Sequence, residues 1–391
     1  MKRIILPLTL ILIIILAFVP AIPSSAESNA PDSYSVGAHA RYLLTGETYD
    51  IVLLTKPEGA SFPAVEYTSE NFDIARVDVN GTVTGVSQGK ATITIAPAGM
   101  PAQTTDIYVV DSMVNINAVA IPMKPGGKFL IYPKVSGKTK ASEVTYASSN
   151  EEVAKVSKNG TITAVTDGRV KITATTGDGA HSRYMWVGVD SNITALGIDI
   201  SVWQGELTAQ NWQTIKDFGY TFVIIRAGYG REIEQKDKQF ESYYETARAA
   251  GMELGAYHYS HALTPKQAEL EAETMLKWLE GKTFEYPICY DVEEAQQMEL
   301  PPAELAKIID AYCEKLEAEG YKDKVIIYSF ANMLQKNMPR SELAKREIWL
   351  AHTRTLQPRR TYTGHYSIWQ FSHSGRFPGI YADFDLNAKY N

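Results

Sequence analysis

Cysteine is nearly absent: Cys289 and Cys313 are the only two in 391 residues. Such a chain does not rest on a disulfide framework. Cys289 falls in an apolar strand-like run and Cys313 in a helix-like one, so both are expected as buried free thiols. Positive charge is also in short supply. The formal net charge is −7, with 38 Lys and Arg against 45 Asp and Glu, and no nucleic-acid surface is indicated. Long apolar runs are missing beyond the first residues. There, Lys2 and Arg3 precede an apolar run from Ile4 to Val19, followed by Pro20, Pro23 and Ser24-Ser25-Ala26. That layout reads as a secretory signal over residues 1–26, with Glu27 as the mature start. An uncleaved anchor is the alternative, but the run is short for a span and contains Pro7. No later stretch can cross a bilayer, so no stable membrane span is expected after cleavage. An exported, cysteine-poor chain suggests a secreted or wall-associated protein of a Gram-positive bacterium.

Several chemistries lack their signatures. His258 and His261 stand three apart on a strand and its loop, not at the helical spacing of a zinc pair. Gly228-Tyr229-Gly230 has neither the Lys nor the helix start of a phosphate loop. Ser201 and Ser260 have no Gly-x-Ser-x-Gly context. No metal or cofactor is expected, and the oligomeric state is not legible.

What is present begins with a repeat, in a chain long enough for two or three domains. Tyr67, Asn71, Ala75, Val77, Asn80-Gly81-Thr82, Gly89 and Ile93-Thr94 recur as Tyr146, Asn150, Ala154, Val156, Asn159-Gly160-Thr161, Gly168 and Ile172-Thr173, at an offset of 79 residues. So long a period means tandem small domains. Alternating apolar residues punctuated by Asn-Gly make each unit a small β-sandwich. The pattern Ser148-Ser149-Asn150, Val153-Ala154, Val156, Asn159-Gly160, Ala164-Val165, Gly168, Ile172 resembles the bacterial immunoglobulin-like group 2 domains. The units are placed at residues 33–112 and 113–190. No aromatic patch or charge cluster stands out along either, so a stiff spacer is expected.

From Thr194 onward apolar strands alternate with charged, amphipathic helices. Candidate strands are 197–200, 222–226, 253–259, 287–291, 325–328, 348–351 and 367–371. Helices are expected at 211–218, 236–250, 265–279 and 302–319. This alternation means a parallel sheet covered by helices, and about two hundred residues suit a compact barrel with its active groups at the C-terminal strand ends. The expected fold class is therefore multidomain: two all-β Ig-like sandwiches, then an α/β (β/α) TIM-like barrel over 194–391. At those strand ends stand Asp199, the Asp291-Val292-Glu293 run, and Asp385 after the last strand. Two residues apart on a strand share a face, and paired carboxylates, one protonated and one ionised, suit glycosidic bond cleavage. Trp203, Tyr229, Tyr257, Tyr259, Tyr328, Trp349 and Trp369 lie at or near the same ends, where their faces could carry sugar rings.

The matching residues Gly197 to Ser201 with Trp203-Gln204, the run Phe222 to Gly230 including Arg226, Gly255 to Tyr259 including His258, Asp291-Val292-Glu293, Ile327-Tyr328-Ser329, Trp349 to His352, Trp369-Gln370-Phe371 and Asp385-Leu386-Asn387 resemble a glycoside hydrolase family 25 lysozyme, the Chalaropsis-type N-acetylmuramidase. The resemblance implies hydrolysis of the β-1,4 bond between N-acetylmuramic acid and N-acetylglucosamine in bacterial peptidoglycan. It implies Glu293, Asp291, Asp199 and Asp385 as the catalytic set. Trp203, Arg226, Tyr229, Tyr257, His258, Tyr259, Tyr328, Trp349, Trp369 and Gln370 become candidate substrate contacts. Glu293 is expected as general acid, with a neighbouring Asp291 anion helping to keep it protonated. Asp291 either orients the substrate's 2-acetamido group or, like Asp199, serves a water as base; the former is favoured. A non-catalytic wall-binding adhesin is the alternative function, disfavoured by two mutually repelling carboxylates.

Overall fold

The computed structural model describes residues 31–358 and 362–390. The expected signal segment lies outside the described residues. The chain divides between Val109 and Val110 into two compact units.

The first unit is an all-β sandwich. One sheet has the order Ala40–Leu44, Gln103–Val110, Gly89–Pro97, Val65–Ser69, and the other Thr48–Asp50, Thr82–Gly85, Ala75–Val77. Leu43, Val83, Ile93 and Ile107 fill the space between. The Asn80-Gly81 turn needs its glycine twice over: φ is +84°, and a Cβ there would lie 2.8 Å from the ring of Tyr67.

The second unit begins with the same sandwich, in sheets Ala120–Met123, Ser182–Val189, Gly168–Thr175, Thr145–Ser148 and Lys128–Leu130, Thr161–Ala164, Ala154–Val156. It continues into a closed barrel of eight strands: β1 (Ile193–Ile200), β2 (Tyr220–Tyr229), β3 (Glu253–Tyr259), β4 (Ile288–Asp291), β5 (Val325–Phe330), β6 (Ile348–Ala351), β7 (Ile368–Gly375) and β8 (Phe384–Tyr390). Strands β1 to β7 run parallel, each to the next. The eighth is antiparallel to both neighbours, β7 and β1. This departs from a wholly parallel TIM-like ring, and it moves Asp385 from beyond the last strand, where the sequence put it, into β8 itself.

Helices α1 (Ala209–Asp217), α2 (Phe240–Ala249), α3 (Pro265–Leu279), α4 (Ala295–Met298), α5 (Pro302–Leu316), α6 (Ala331–Lys336) and α7 (Arg340–Leu343) follow β1 to β5. Their starts are written locally. Thr208 and Thr264 accept hydrogen bonds from Asn211 N and Gln267 N, and Pro265 opens α3. The helix expected to reach Glu319 stops at Leu316, where an irregular turn takes over and Gly320 adopts φ +99°. Among the described residues no α-helix follows β6, β7 or β8. None of the described helices is long and apolar enough to cross a membrane.

Strand alternation sorts the barrel into two layers. Phe222, Ile224, Cys289, Ile326, Trp349 and Ile368 face inward. Val223, Ile225, Leu254, Ile288, Ile327 and Leu350 face outward, packed with Trp212, Tyr243, Met275, Trp278 and Ile309 from the helices. Both cysteines are buried free thiols.

The second Ig-like module meets the barrel at the start of β1, the end of α1 and β7. Lys128 N donates to Phe218 O at 2.9 Å, Lys124 Nζ to Thr194 O at 2.7 Å, and Lys128 Nζ to Asp217 O at 3.0 Å. Asn117 Nδ2 donates to Ser374 O at 3.0 Å, and Ser374 Oγ returns a bond to Asn117 O at 2.6 Å. One apolar cluster runs from Ile121, Met123 and Phe129 of the module to Leu196, Phe377 and Leu386 of the barrel.

Candidate active site

Every carboxylate of the expected set comes to the same barrel mouth by strand register. Asp199 lies opposite Asp385 across the β1–β8 pair. Asp291 ends β4 beside Tyr259 on one side and Tyr328 on the other. Glu293 lies past the strand end, half-buried, in the short segment before α4. The shared face expected for Asp291 and Glu293 therefore depends on this turn as well as on strand pleat.

Their electrostatics are mutual. Asp199 is buried, which raises its pKa to about 6, while Asn387 and Gln370 pull it back by donating hydrogen bonds. These bonds are 2.7 Å from Asn387 Nδ2 and 3.0 Å from Gln370 Nε2, both to Oδ2. Burial, then the Asp199 and Glu294 charges, push Glu293 up to about 7. The Asp199 charge thus protects the Glu293 proton, and Glu293 in turn helps to raise Asp291. Burial, then Asp199, Glu293 and Asp383, raise Asp385 to about 8. Burial, Glu293 and Asp199 hold Asp291 well above the ordinary carboxyl range, with Arg226 opposing. Asp291 Oδ1 is buried without a hydrogen-bond partner among the described residues. An orphaned buried carboxyl oxygen is costly, and functional sites are where such costs are tolerated.

Arg226 is positioned by Asp237, whose Oδ2 accepts from Arg226 Nε at 2.8 Å and from Val202 N at 3.0 Å. Gln370 also accepts from Tyr328 OH at 3.0 Å, and Trp349 Nε1 donates to Asn387 Oδ1 at 2.7 Å. Tyr257 sets its ring edge-on to Trp349 at 6.1 Å. These inward residues brace the carboxylates from below. At the rim, Trp203 is 81% exposed and Tyr229 38% exposed, and Tyr259 is half-buried beside the Glu293 charge.

Three of the expected contacts are corrected. His258 points out of the barrel, fully buried against Trp278, Tyr290 and Tyr312, with Nε2 2.7 Å from Gly230 O. Burial pushes its pKa down to about 3, so it is a neutral core group. Trp369 also lies on the outer layer, its Nε1 bonded to His352 O at 2.7 Å. Trp349 faces inward but is 1% exposed, so it is a floor and not a stacking platform.

The sequence reading passed over Asn387, Asp237 and Glu271. Asn387 was findable, since it stands two residues from Asp385 on one face. Asp237 and Glu271 carry no motif. Glu271 is buried and accepts from Ser260 Oγ, Tyr290 OH and His261 N, while Gln297 of α4 bonds Ser260 Oγ and Ala262 O. This network ties the loop after β3 to the helix that follows Glu293. Beside the carboxylates, a cleft of about 570 Å³ opens at the ends of β5 and β6, lined by Phe330, Asn332, Gln335, Lys336, His352 and Thr353 among others. Among the described residues no group of three or more His, Cys, Asp or Glu is arranged to hold a metal.

A closed barrel whose mouth holds four coupled carboxyls between rim aromatics is the site of a glycoside hydrolase. Residues 198–380 match the glycosyl hydrolases family 25, and residues 32–97 and 130–187 each match the bacterial Ig-like domain (group 2). Lysozyme M1 of Streptomyces globisporus is 30% identical over 207 residues, covering 50% of this chain and 67% of that protein. An autolytic lysozyme of Clostridium acetobutylicum is 26% identical over 191 residues, covering 49% of this chain and 54% of the relative. Among solved structures, a bacterial lysozyme from Streptomyces coelicolor aligns with a TM-score of 0.43 at 26% identity, over 50% of this chain and 92% of the other. The chain belongs to glycosyl hydrolase family 25, with two group 2 Ig-like domains before its catalytic region.

Proposed function

We propose that this protein is a peptidoglycan hydrolase acting as an N-acetylmuramidase, cutting the β-1,4 bond between N-acetylmuramic acid and N-acetylglucosamine outside the cell. The observation that carries the reading is the convergence of Asp199, Asp291, Glu293 and Asp385 at one mouth, all raised by burial, with the Asp199 charge raising the other three and the Glu293 charge raising Asp291 and Asp385.

In this reading Glu293, protonated near neutrality, donates its proton to the leaving glycosidic oxygen. Asp291, whose Oδ1 is unsatisfied in the free protein, engages the substrate's 2-acetamido N–H. The acetamido oxygen then attacks the anomeric carbon as the glycosidic bond breaks. Glu293, now ionised, takes a proton from the water that opens the cyclic intermediate, so configuration is retained. Asp199, the most acidic of the four in the pKa values it holds, supplies the fixed negative charge. Asp385 and Arg226 tune it and its neighbours. The rim residues Trp203, Tyr229 and Tyr259 and the cleft beyond β5 and β6 carry the sugar units on either side of the cut. Residues 33–112 and 113–190 form the two modules before the catalytic barrel at 194–391.

The test is digestion of purified peptidoglycan by wild type and Glu293→Gln, with borohydride reduction and mass spectrometry of the new ends. Reduced muramic acid ends made by the wild type alone are expected. Reduced glucosamine ends would overturn the bond assignment, and no ends with retained wall binding would leave a glycan-binding protein in its place.

A further inference from the structure

The spacer reading of the second Ig-like module meets an unexpected surface. Residues from two neighbouring strands come together on the outer face of its four-stranded sheet, where Lys171 pairs with Trp186, Thr173 with Tyr184 and Arg169 with Gly188. The Arg169 guanidinium lies 4.1 Å from the centre of the Trp186 ring, and Lys171 Nζ 5.6 Å from that of Tyr184. The two rings meet edge to face at 6.2 Å. Tyr184 is 56% exposed, and Arg169 and Lys171 are both exposed. Neither cation forms an ion pair among the described residues.

The first module carries a neutralised form of this face, with Lys90 Nζ 5.8 Å from the centre of the Tyr108 ring and Tyr42 stacked on that ring at 5.0 Å. At the same ladder steps it carries Thr92 opposite Asp106, Thr94 opposite Thr104, and Lys90 opposite Tyr108. Its single cation is neutralised by a 2.9 Å ion pair between Lys90 and Asp106. The second module replaces that acid by Trp186 and adds Lys171 and Tyr184. A cation stacked on an aromatic ring has lost much of its freedom but none of its charge, and a stacked guanidinium still offers its donor edge to a tetrahedral or planar oxyanion. In a chain of net charge −7, an unneutralised cationic pair on ordered rings is a local feature and not part of a general basic surface.

We infer that this face binds a phosphodiester-linked sugar or polyol polymer attached to the bacterial wall. Phosphates engage Arg169 and Lys171, and the intervening polyol or sugar units lie against Tyr184 and the edge of Trp186. The choice of a wall polymer rests on the proposed peptidoglycan activity. Because this module shares hydrogen bonds and a core with the barrel, polymer held here keeps the barrel at the wall.

The test uses the full mature chain carrying Glu293→Gln, so that walls are bound and not cut. It is compared with the same protein also carrying Arg169→Glu and Lys171→Glu, and with a third carrying Tyr184→Ser. Binding is measured on intact walls and on walls treated with hydrofluoric acid, which breaks phosphodiesters and leaves glycosidic bonds. The expected result is about tenfold or greater weakening on intact walls for the charge reversals, with a smaller loss for Tyr184→Ser. All three proteins should bind treated walls equally and weakly. Equal binding of all three to intact walls, or undiminished binding to treated walls, overturns the inference. So does equally tight binding of duplex DNA, which would mean a generic polyanion surface. Digestion of treated walls by the unsubstituted enzyme is run in parallel. Its failure would count against the hydrolase reading and leave the binding result to stand separately.

Discussion

The barrel mouth and the seam between barrel and second module follow opposite rules. At the mouth, four carboxyls are gathered in full or partial burial, and Asp291 Oδ1 has no hydrogen-bond partner among the described residues. At the seam, backbone carbonyls at Thr194, Phe218, Asp217 and Ser374 all find donors on the module. The mouth costs stability and makes chemistry possible; the seam supplies stability and does no chemistry. Copy one of the module sharpens the point. In Ala40–Leu44 only Leu43 is buried, whereas in Ala120–Met123, the corresponding strand, all four residues are. The same strand becomes an interior element where it packs against the barrel near β7.

Breaking the mouth should cost activity and raise stability. For Glu293→Gln, turnover of peptidoglycan should fall by roughly three orders of magnitude or more while wall binding survives. The same change should stabilise the fold at alkaline pH. A carboxyl whose pKa is raised on folding contributes fully below its unfolded pKa, and that contribution is lost as pH rises through the folded value. For Glu293 the window runs from 4.5 to about 7. Removing it should gain on the order of 2 kcal/mol at pH 8, read as a higher melting temperature that converges with wild type near pH 4.

Breaking the seam should do the reverse. A Cβ at Gly127 would lie 2.8 Å from Leu196 Cδ1, so Gly127→Val should lower the melting temperature of the barrel by several degrees, about 1–3 kcal/mol of overpacking. Activity per folded molecule at low temperature should be unchanged. If instead turnover falls with stability intact, the seam is not merely structural.

Two smaller effects refine the contrast. Without the Asn387 bond that pulls Asp199 down, Asn387→Ala should move the acid limb of the pH–rate profile upward and reduce kcat/KM roughly tenfold. Wild type itself should show a narrow bell with limbs near 6 and 7, apparent values that belong to the coupled cluster. Asn117→Ala, which removes one of the two bonds with Ser374 together with the side-chain bonds to Leu130 O and Tyr132 N, should cost about 1–3 kcal/mol and leave that bell in place.

Much of this was legible because period-2 patterning and strand ends say where side chains point. Asp199 and Asp291 at their strand ends, the seven parallel strands and the repeated sandwiches follow from such local rules. The eighth strand was not, because Phe384–Tyr390 mixes apolar with polar residues and its antiparallel pairing is settled by β1 and β7 together. His258 and Trp369 were misassigned for a related reason: each sits one residue out of phase with the inward face, and one residue decides the layer. The seam and the Arg169–Trp186 face were invisible in sequence, since both are made by residues distant along the chain.

The proposed chemistry depends on Glu293 keeping its proton near neutrality through burial beside the Asp199 charge. Carbon-13 NMR titration of the Glu293 carboxyl, in wild type and in Asp199→Asn, tests it directly. The account predicts titration at about 7 and a downward shift when Asp199 loses its charge. A Glu293 that titrates near the ordinary 4.5, or one indifferent to Asp199→Asn, would contradict it.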